Sequence, residues 1–230
     1  MIRLFVALQI PEASGDSLRG LCAGVPGARW VNPEQFHITL RFIGEVDGRT
    51  ARAAMEELGQ ITMPSFPVEL HGVGTFGDKR KAHSLWAGVR PSGMLTRLHD
   101  KIDGAIARIG LPPDRRKFTP HVTLARLNNA PSERLCAYLA HHGLATPPSF
   151  TCEGFTLFSS FLSSNGAIYT PERIYRLDGS QDFSWMDQEA ENWQEEGWED
   201  GADWEKEAEN YFGAERSLPA YGNAGGGPAE

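Results

Sequence analysis

Cysteine and long hydrophobic runs are scarce in this sequence, and each scarcity excludes a class of protein. The 230 residues include only three cysteines, and none of them lies in a C-x-x-C arrangement. Three thiols cannot all pair with one another, so we expect no disulfide scaffold and a reducing, cytoplasmic compartment. No apolar stretch approaches the roughly 18 residues of a membrane-spanning helix, which excludes a protein built of such helices. The first residues predict a strand, and we see no export signal there.

Several motifs that bind common cofactors are also absent. The chain has no G-x-x-x-x-G-K-[ST] loop for nucleotide phosphates, no H-E-x-x-H helix and no Cys/His spacing typical of zinc sites. We therefore expect no cofactor and no metal. A ligase that consumes ATP would need a nucleotide site that this sequence does not show.

Acidic residues outnumber basic ones, but the charge is unevenly distributed. The formal net charge is −8, yet residues 179–230 hold 14 Asp and Glu against two basic residues. Residues 1–178 carry a net charge of +4, with 20 Lys and Arg against 16 Asp and Glu. Such a split predicts an anionic partner for the first part and an appended acidic tail.

Alternating and β-branched runs predict seven strands, and apolar residues three and four apart predict four helices between them. Short loops join several consecutive strands, which favours a mixed antiparallel α+β fold over a doubly wound parallel sheet. The predicted strands are 3–10, 36–43, 66–75, 84–89, 119–127, 150–158 and 168–177. The predicted helices are 12–23, 49–61, 94–109 and 132–141, the last capped by Ser132.

The strand pattern stops at Asp178, where we place a boundary between a domain at residues 1–178 and a tail at residues 179–230. The tail is acidic and rich in glycine, which predicts disorder or at most partial helix. We expect it to bind either its own domain or another protein, with a solubilising extension as the alternative. Aromatic rings are unusual in such segments, yet the tail holds four of the six tryptophans: Trp185, Trp193, Trp198 and Trp204.

Two copies of one tetrapeptide pattern, His-apolar-Thr-Leu, are the most informative feature of the sequence. They begin at His37 and His121, and each lies in a predicted strand. Side chains of a strand alternate between its faces, so each His and the Thr two residues later share one face. One copy is typical of an ordinary strand with a partnered histidine, whereas two matched copies favour a functional pair.

Two imidazoles that face each other suit acid-base chemistry on a phosphate ester. Histidine has an unperturbed pKa of about 6.5, so one ring can accept a proton from water while the other protonates a leaving oxygen. The hydroxyls of Thr39 and Thr123 can donate to non-bridging phosphate oxygens and stabilise the charge of the transition state. This chemistry requires no metal ion.

The segments around both motifs extend the pattern: RLFVAL at 3–8, RWV at 29–31, FHITLRFIGEV at 36–46, GTF at 74–76, LWAGV at 85–89 and PHVTLAR at 120–126. The paired motifs resemble those of the two-histidine (2H) phosphoesterases. Over residues 1–178 the chain resembles, within that group, the RNA 2′,3′-cyclic phosphodiesterases, also called 2′-5′ RNA ligases. The resemblance implies two pseudo-symmetric lobes, each an antiparallel sheet with outer helices, around a central cleft where the motif strands meet. The acidic tail lies outside it.

The resemblance also implies a role for each matching residue. It makes His37 the general acid and His121 the general base, with Thr39 and Thr123 contacting the phosphate. Arg126 matches an arginine that binds phosphate in the family. Strict alternation would put Arg126 on the face opposite His121, so a bulge or the end of the strand must intervene.

Further residues are candidates for contact with RNA, each with a plainer alternative. Arg41 has the parity to share the face of His37, or it is an ordinary surface arginine. The basic clusters 79–81 and 115–117 either steer an RNA backbone or are solvated loop charge. Three aromatic residues either stack on a base or belong to the core: Phe36, Phe42 and Phe118.

The function implied by the resemblance is metal-independent opening of RNA 2′,3′-cyclic phosphate ends to 2′-phosphomonoesters. The substrate would be RNA or a nucleotide with a cyclic phosphate end, and we expect a monomer that does not associate with membranes. Within the same chemistry, 2′-5′ ligation and hydrolysis of a small cyclic nucleotide or an ADP-ribose cyclic phosphate remain alternatives. An RNA-end-binding module without turnover is the alternative from another class, although intact His and Thr in both motifs favour activity.

Overall fold

The computed structural model describes residues 1–77, 81–163 and 166–179 of the chain. The predicted tail beyond Gly179 and most of the first basic cluster lie outside the described residues. The strands are β1 Ile2–Gln9, β2 Ala28–Trp30, β3 His37–Val46, β4 Phe66–Val68, β5 Leu70–Phe76, β6 Ser84–Val89, β7 His121–Leu127, β8 Phe150–Cys152, β9 Gly154–Ser163 and β10 Gly166–Arg176. The helices are α1 Glu12–Arg19, α2 Gly48–Leu58, α3 Gly93–Arg108 and α4 Ser132–His142, with a 3-10 helix at Pro33–Gln35.

All four predicted helices are confirmed, and local capping explains where two of them begin. The side chain of Asp47 accepts a hydrogen bond from the Thr50 amide at 2.7 Å and thereby satisfies a free N–H at the start of α2. The hydroxyl of Ser92 does the same for α3. The expectation that Ser132 caps α4 is wrong: Pro131 holds the cap position, and Ser132 is the first helical residue.

The large sheet is antiparallel and contains eight of the described strands. Its order is β10-β9-β1-β3-β7-β6-β5, with β2 added beside β7, while β4 and β8 form a separate small sheet. Strands β3 and β7 carry the two motifs and lie next to each other. They are paired at one position only, where Ile38 lies opposite Val122. The sheet thus consists of two antiparallel halves that meet at the motifs, which confirms the expected two-lobed α+β fold.

Helices α2 and α3 pack together and against one face of the large sheet. That face contributes the apolar residues of both motifs to the main core, where Ile38 and Val122 are fully buried. The opposite face is left for the histidines and threonines. No helix in the described part of the chain is long and apolar enough to span a membrane.

Strict alternation fails directly after the threonine in each motif strand, and in β3 it fails a second time, at Ile43. In β3, Thr39 pairs with Ala7 but Arg41 pairs with Val6, so Leu40 is an extra residue. A β-bulge of this kind shifts the side chains that follow it to the other face, up to the next irregularity. The residue five positions after His37 therefore returns to the histidine's face.

The bulge in β7 occupies the same place in the second motif. Thr123 pairs with Trp86 and Ala125 pairs with Leu85, which leaves Leu124 as the extra residue. The two lobes therefore share the bulge after the threonine as well as the sequence pattern of the motif. This repetition supports the pseudo-symmetry of the lobes.

Candidate active site

The two motifs bring their histidines and threonines together on one face of the sheet. Antiparallel pairing of Ile38 with Val122 puts His37 across from Thr123 and Thr39 across from His121. All four side chains are half-buried, in contrast to the fully buried residues between them. The arrangement is a crossed pair in which each imidazole faces the hydroxyl of the other motif.

Both histidine rings are oriented by the same local hydrogen bond. Nδ1 of His37 lies 2.7 Å from the carbonyl oxygen of Gln35, and Nδ1 of His121 lies 2.7 Å from that of Thr119. A carbonyl oxygen can only accept, so Nδ1 of each ring carries the hydrogen. In the neutral ring Nε2 is then the unprotonated nitrogen, and it can accept a proton or, once protonated, donate one.

Burial lowers the proton affinity of both rings. It lowers the pKa of His37 to about 4, although the bond to the Gln35 carbonyl opposes the shift and the charge of His121 adds to it. Burial likewise lowers the pKa of His121, and the bond to Thr119 opposes it. Both rings are therefore neutral at pH 7 in the unliganded protein. The effect of His121 on the pKa of His37 is that expected of two ionisable groups close in space.

Aromatic rings enclose His37 on its side of the site. The ring of Phe5 lies 5.2 Å from the imidazole, and Tyr169 meets it edge-on at 5.3 Å between centroids. A cavity of about 550 Å³ opens beside this histidine, within the usual range of small-molecule sites. It is lined by Phe5, Gln9, Glu34, Gln35, Phe158 and Tyr169, among others.

A second aromatic pair encloses His121. Phe76 meets its imidazole edge-on at 4.8 Å, and the ring centroid of Trp86 lies 6.1 Å away. Strand pairing places Trp86 beside Thr123 and opposite Gly74. The absence of a Cβ at Gly74 leaves room for the indole, because a Cβ there would lie 2.3 Å from the ring.

Arg126 shares the face of His121 because of the bulge at Leu124. Its strand partner on β6 is Ser84, which alternation places on the same face as Trp86. The difficulty that strict alternation raised for this arginine is thereby removed. The corresponding residue of the other lobe is Phe42, which stacks on Phe5 at 5.6 Å.

Both sequence interpretations of Arg41 are wrong. Its side chain is 9% exposed and lies on the helix-covered face, opposite His37, where it pairs with Asp103 and Asp114. The bulge at Leu40 is the physical reason, since it reverses the parity on which the expectation depended.

The other candidates differ in their surroundings. In the second basic cluster, Arg115 and Lys117 are exposed, and Arg116 binds Asp114. Phe36 belongs to the core, and Phe118 stacks on His99 at 4.1 Å. Among the described residues, no group of three or more His, Cys, Asp or Glu could hold a metal ion.

Sequence reasoning missed the groups that surround the motif residues. The carbonyls of Gln35 and Thr119 leave no mark in the sequence, because any residue supplies a carbonyl. Phe5 and Tyr169 come from distant strands, and only the pairing of β1, β9 and β10 brings them to His37. The LWAGV segment was a usable signal for Trp86, since it belongs to the pattern around the motifs.

Two antiparallel lobes that meet at paired His-x-Thr strands, with both imidazoles on one face, define the fold and site of a two-histidine phosphoesterase. The chain belongs to the 2′-5′ RNA ligase superfamily, whose family model matches residues 12–160.

Curated relatives agree with this family. The chain is 36% identical over 148 residues to an RNA 2′,3′-cyclic phosphodiesterase of Aeropyrum pernix, covering 64% of this chain and 84% of that protein. It is 28% identical over 177 residues to an RNA 2′,3′-cyclic phosphodiesterase of Archaeoglobus fulgidus, covering 76% and 99%.

Solved structures have the same fold. A crystal structure from Thermus thermophilus matches with a TM-score of 0.65 at 25% identity, covering 78% of this chain and all of that one. Apo LigT of E. coli matches with a TM-score of 0.63 at 26% identity, covering 76% and 96%. LigT has also been crystallised with ATP and with 3′-AMP.

Proposed function

We propose that this chain hydrolyses 2′,3′-cyclic phosphate ends of RNA to 2′-phosphomonoesters. The observation that carries the proposal is the matched pair His37 and His121, each held with Nε2 free for proton transfer. Membership of the 2′-5′ RNA ligase superfamily supports it, as do relatives named RNA 2′,3′-cyclic phosphodiesterase.

In the proposed reaction, His121 is the general base and His37 the general acid. Nε2 of His121 takes a proton from water as the water oxygen attacks phosphorus, and the bond from phosphorus to O3′ breaks. His37 donates its proton to O3′, which leaves a 3′-hydroxyl and a 2′-phosphate. The two protons exchange with solvent afterwards, so each turnover consumes one water and needs no oxidant or reductant.

The acid role requires His37 to bind a proton when substrate enters, because burial holds its pKa at about 4 in the unliganded protein. A cyclic phosphate is an anion, and an anion beside an imidazole favours its protonated form. Thr39 and Thr123 lie across from the opposite histidines by register and would donate to the non-bridging oxygens. Arg126, on the same face, would neutralise the remaining charge.

The test is incubation of the purified protein with an oligonucleotide that ends in a 2′,3′-cyclic phosphate, followed by mapping of the product end. We expect mainly 2′-phosphate ends, and turnover should persist in EDTA. Mainly 3′-phosphate ends would mean that the two roles are exchanged or that the substrate binds in reverse. Loss of turnover in EDTA with recovery on adding metal would refute the metal-independent mechanism.

Ligation is the second candidate, and the family's name favours it. In ligation the 5′-hydroxyl oxygen of a second RNA attacks phosphorus in place of water, the bond from phosphorus to O3′ breaks, and a 2′-5′ phosphodiester forms. The same assay with an added 5′-hydroxyl oligonucleotide would reveal it as a longer product with a 2′-5′ bond. Mononucleotide and ADP-ribose cyclic phosphates, tested in parallel, establish whether RNA is the preferred substrate. Binding of RNA ends with no turnover of any substrate would identify a binding module instead.

We further propose that residues 1–178 are the catalytic domain of a monomer and that the acidic tail binds this domain's cleft. The tail combines negative charge with aromatic rings, the two properties of single-stranded RNA that a basic site with stacking surfaces recognises. The rings around both histidines supply such surfaces. The three free cysteines fit a reducing compartment, and we propose the cytoplasm as the site of action.

A further inference from the structure

Arg41 is a buried arginine within the strand of the first motif. Apart from the Phe42 carbonyl, which accepts a hydrogen bond from Nη1 at 2.9 Å, its partners lie on α3 and on the segment that follows it. Its Nε lies 2.8 Å from Oδ1 of Asp103 on α3, and Nη1 lies 3.6 Å from Oδ2 of Asp114. Nη2 donates to the carbonyl oxygen of Pro112. Strand β3 is therefore tied through one side chain to the segment that follows α3.

That segment, residues 111–120, leads directly into His121. It contains no helix or strand, so its position depends on individual contacts. The amide of Asp114 donates to Oδ1 of Asp103 at 3.0 Å, which closes the network around Arg41. The far end of the segment supplies the Thr119 carbonyl that holds Nδ1 of His121.

Asp114 is in the charged form that an ion pair with Arg41 requires. Burial favours its neutral form, but hydrogen bonds from Arg116 and the charges of Arg116 and Arg41 outweigh burial and lower its pKa. Asp114 is therefore ionised at neutral pH. Arg116 is partly exposed, whereas Arg41 is enclosed, so the contact to β3 is the one shielded from solvent.

The backbone alone gives the two motif strands little mutual restraint. Strands β1 and β3 share eight registered pairs, but β3 and β7 share only Ile38 with Val122. One ring must take a proton from the attacking water while the other gives a proton to O3′ on the opposite side of phosphorus. This requires both rings to be positioned to within a fraction of an ångström. The Arg41 network adds a direct restraint, because it joins β3 to the loop before His121.

We propose that Arg41 is a positioning residue for His121, a role that rests on the proposed acid-base function of this histidine. It holds residues 111–120 so that the Thr119 carbonyl keeps the Nδ1–H tautomer of His121, with Nε2 turned to the substrate. His37 has a separate anchor: the Gln35 side chain donates to the Ala167 carbonyl at 2.7 Å, while its own carbonyl holds the ring. A substitution at Arg41 should thus disturb the histidine of the other strand and spare the one on its own strand.

The test compares Arg41→Met with Arg3→Met by long-range ¹H–¹⁵N NMR of the histidine rings in the full chain. Arg3 is a matched control, because it also forms an ion pair with β3, to Glu45 at 3.0 Å, but does so from β1, which is not a neighbour of β7 in the sheet. Arg41→Met should give His121 a mixture of both tautomers while His37 keeps its Nδ1–H tautomer. Gln35→Ala should show the opposite pattern, and Arg3→Met should change neither ring.

Kinetics on the cyclic-phosphate oligonucleotide provide the second readout. Arg41→Met should lower kcat by roughly 10- to 100-fold, as expected for a misplaced catalytic group, and change KM far less. Arg41→Lys keeps the charge but cannot contact both carboxylates and the Pro112 carbonyl at once, so partial recovery of kcat is expected. Asp114→Asn is a milder substitution that weakens the same contact if Arg41→Met fails to fold.

An unchanged His121 spectrum in folded Arg41→Met or Asp114→Asn would overturn the proposal, as would equal changes at both histidines. Either result would leave Arg41 with a role in stability alone. The NMR readout does not depend on turnover. If the wild-type protein turns over no cyclic phosphate, the proposed function fails. The NMR spectra still show whether Arg41 controls the tautomer of His121.

Discussion

A neutral imidazole can carry its proton on either nitrogen, and both motif histidines of this protein are held in the same tautomer. The carbonyl of the residue two positions earlier accepts the Nδ1 hydrogen in each case. This arrangement needs no particular side chain at the accepting residue, so Gln35 and Thr119 can serve equally. Its consequence is that each ring presents Nε2 to the site as the nitrogen that exchanges protons.

Replacement of either histidine by alanine should nearly abolish turnover. Because one ring is needed as base and the other as acid, His37→Ala and His121→Ala should each lower kcat by roughly 10²–10⁴-fold. The double variant should lose little more, since the two groups act as one unit. Initial rates on the cyclic-phosphate oligonucleotide measure this, with the exposed His141→Ala at the end of α4 as a control of unchanged rate. A single variant with near wild-type rate would contradict the paired mechanism.

Acid should destabilise the protein partly through His37. Burial lowers the pKa of this ring to about 4 in the folded state, against about 6.5 in the unfolded chain. Between these values the unfolded chain binds a proton that the folded state does not, so stability rises with pH and is lost as pH falls from about 6.5 towards 4. In His37→Asn this loss should be smaller by about 1–3 kcal/mol.

Urea denaturation at pH 7 and pH 5 measures this difference for wild type and variant. His141→Asn is the control, because it removes an exposed histidine from the helix end. Identical pH dependence in wild type and His37→Asn would show that the His37 ring is not buried as a neutral group.

Among the structural elements, the two motif strands depend on bulges at corresponding positions. Each bulge follows the threonine, and each returns the residue five positions after the histidine to the histidine's face. In β7 this residue is Arg126, and in β3 it is Phe42. The lobes thus share this irregularity of the backbone but differ in chemistry, because the position is charged in one lobe and aromatic in the other.

The hairpin of β5 and β6 should be sensitive at Gly74. An alanine Cβ there would lie 2.3 Å from the Trp86 ring, so the indole, whose neighbours include Phe76 and His121, must shift. We expect Gly74→Ala to lower the free energy of unfolding by about 1–3 kcal/mol, the usual cost of overpacking. It should also lower kcat/KM, because the displaced indole lies beside His121.

Thermal unfolding and steady-state rates test this together. The control is Gly15→Ala in α1, where a Cβ would meet no atom within 4 Å and where alanine favours the helix by roughly 0.5–1 kcal/mol. If Gly74→Ala keeps both the Tm and kcat/KM of wild type, the indole is not confined between Gly74 and the site.

For the whole molecule, the distribution of charge matters more than its sum. Residues 1–178 carry a net charge of +4, while the tail carries 14 acidic residues against two basic ones. We therefore expect both a polyanionic substrate and the acidic tail to be attracted to residues 1–178. Because this attraction acts between largely solvated charges, salt should weaken it.

Deletion of residues 179–230 should lower the KM for an oligonucleotide at low salt, with little effect on kcat. The reason is loss of an internal competitor for the cleft, and the difference should shrink at high salt as the attraction is screened. Steady-state kinetics at two ionic strengths measure both effects. A full-length variant with four substitutions keeps the tail's charge but removes its indoles, and so separates stacking from charge: Trp185→Ala, Trp193→Ala, Trp198→Ala and Trp204→Ala. Equal KM values for truncated and full-length protein at low ionic strength would instead favour a separate protein partner for the tail.

Local patterns in the sequence determined most of the secondary structure and the identity of the motif residues. Periodicity predicted the four helices to within a few residues, because an amphipathic helix repeats its apolar positions. It treated 66–75 and 150–158 as single strands, whereas the structure divides each in two. The division reflects a change of pairing partner, with β4 and β8 forming their own small sheet, and pairing is non-local. The three-residue strand β2 was missed because it is too short to show alternation.

Strand alternation in the sequence was enough to predict that each motif presents its His and Thr on one face. Beyond the threonine, only the tertiary structure decided the outcome. A bulge depends on how a strand pairs with its neighbour, as β3 does with β1, and no local sequence pattern indicates it. The bulge in β3 places Arg41 in its ion pairs on the helix-covered face, and the bulge in β7 places Arg126 on the face of His121. The neutral state of both histidines likewise depends on burial, which is a property of the assembled fold and not of the strand that carries the ring.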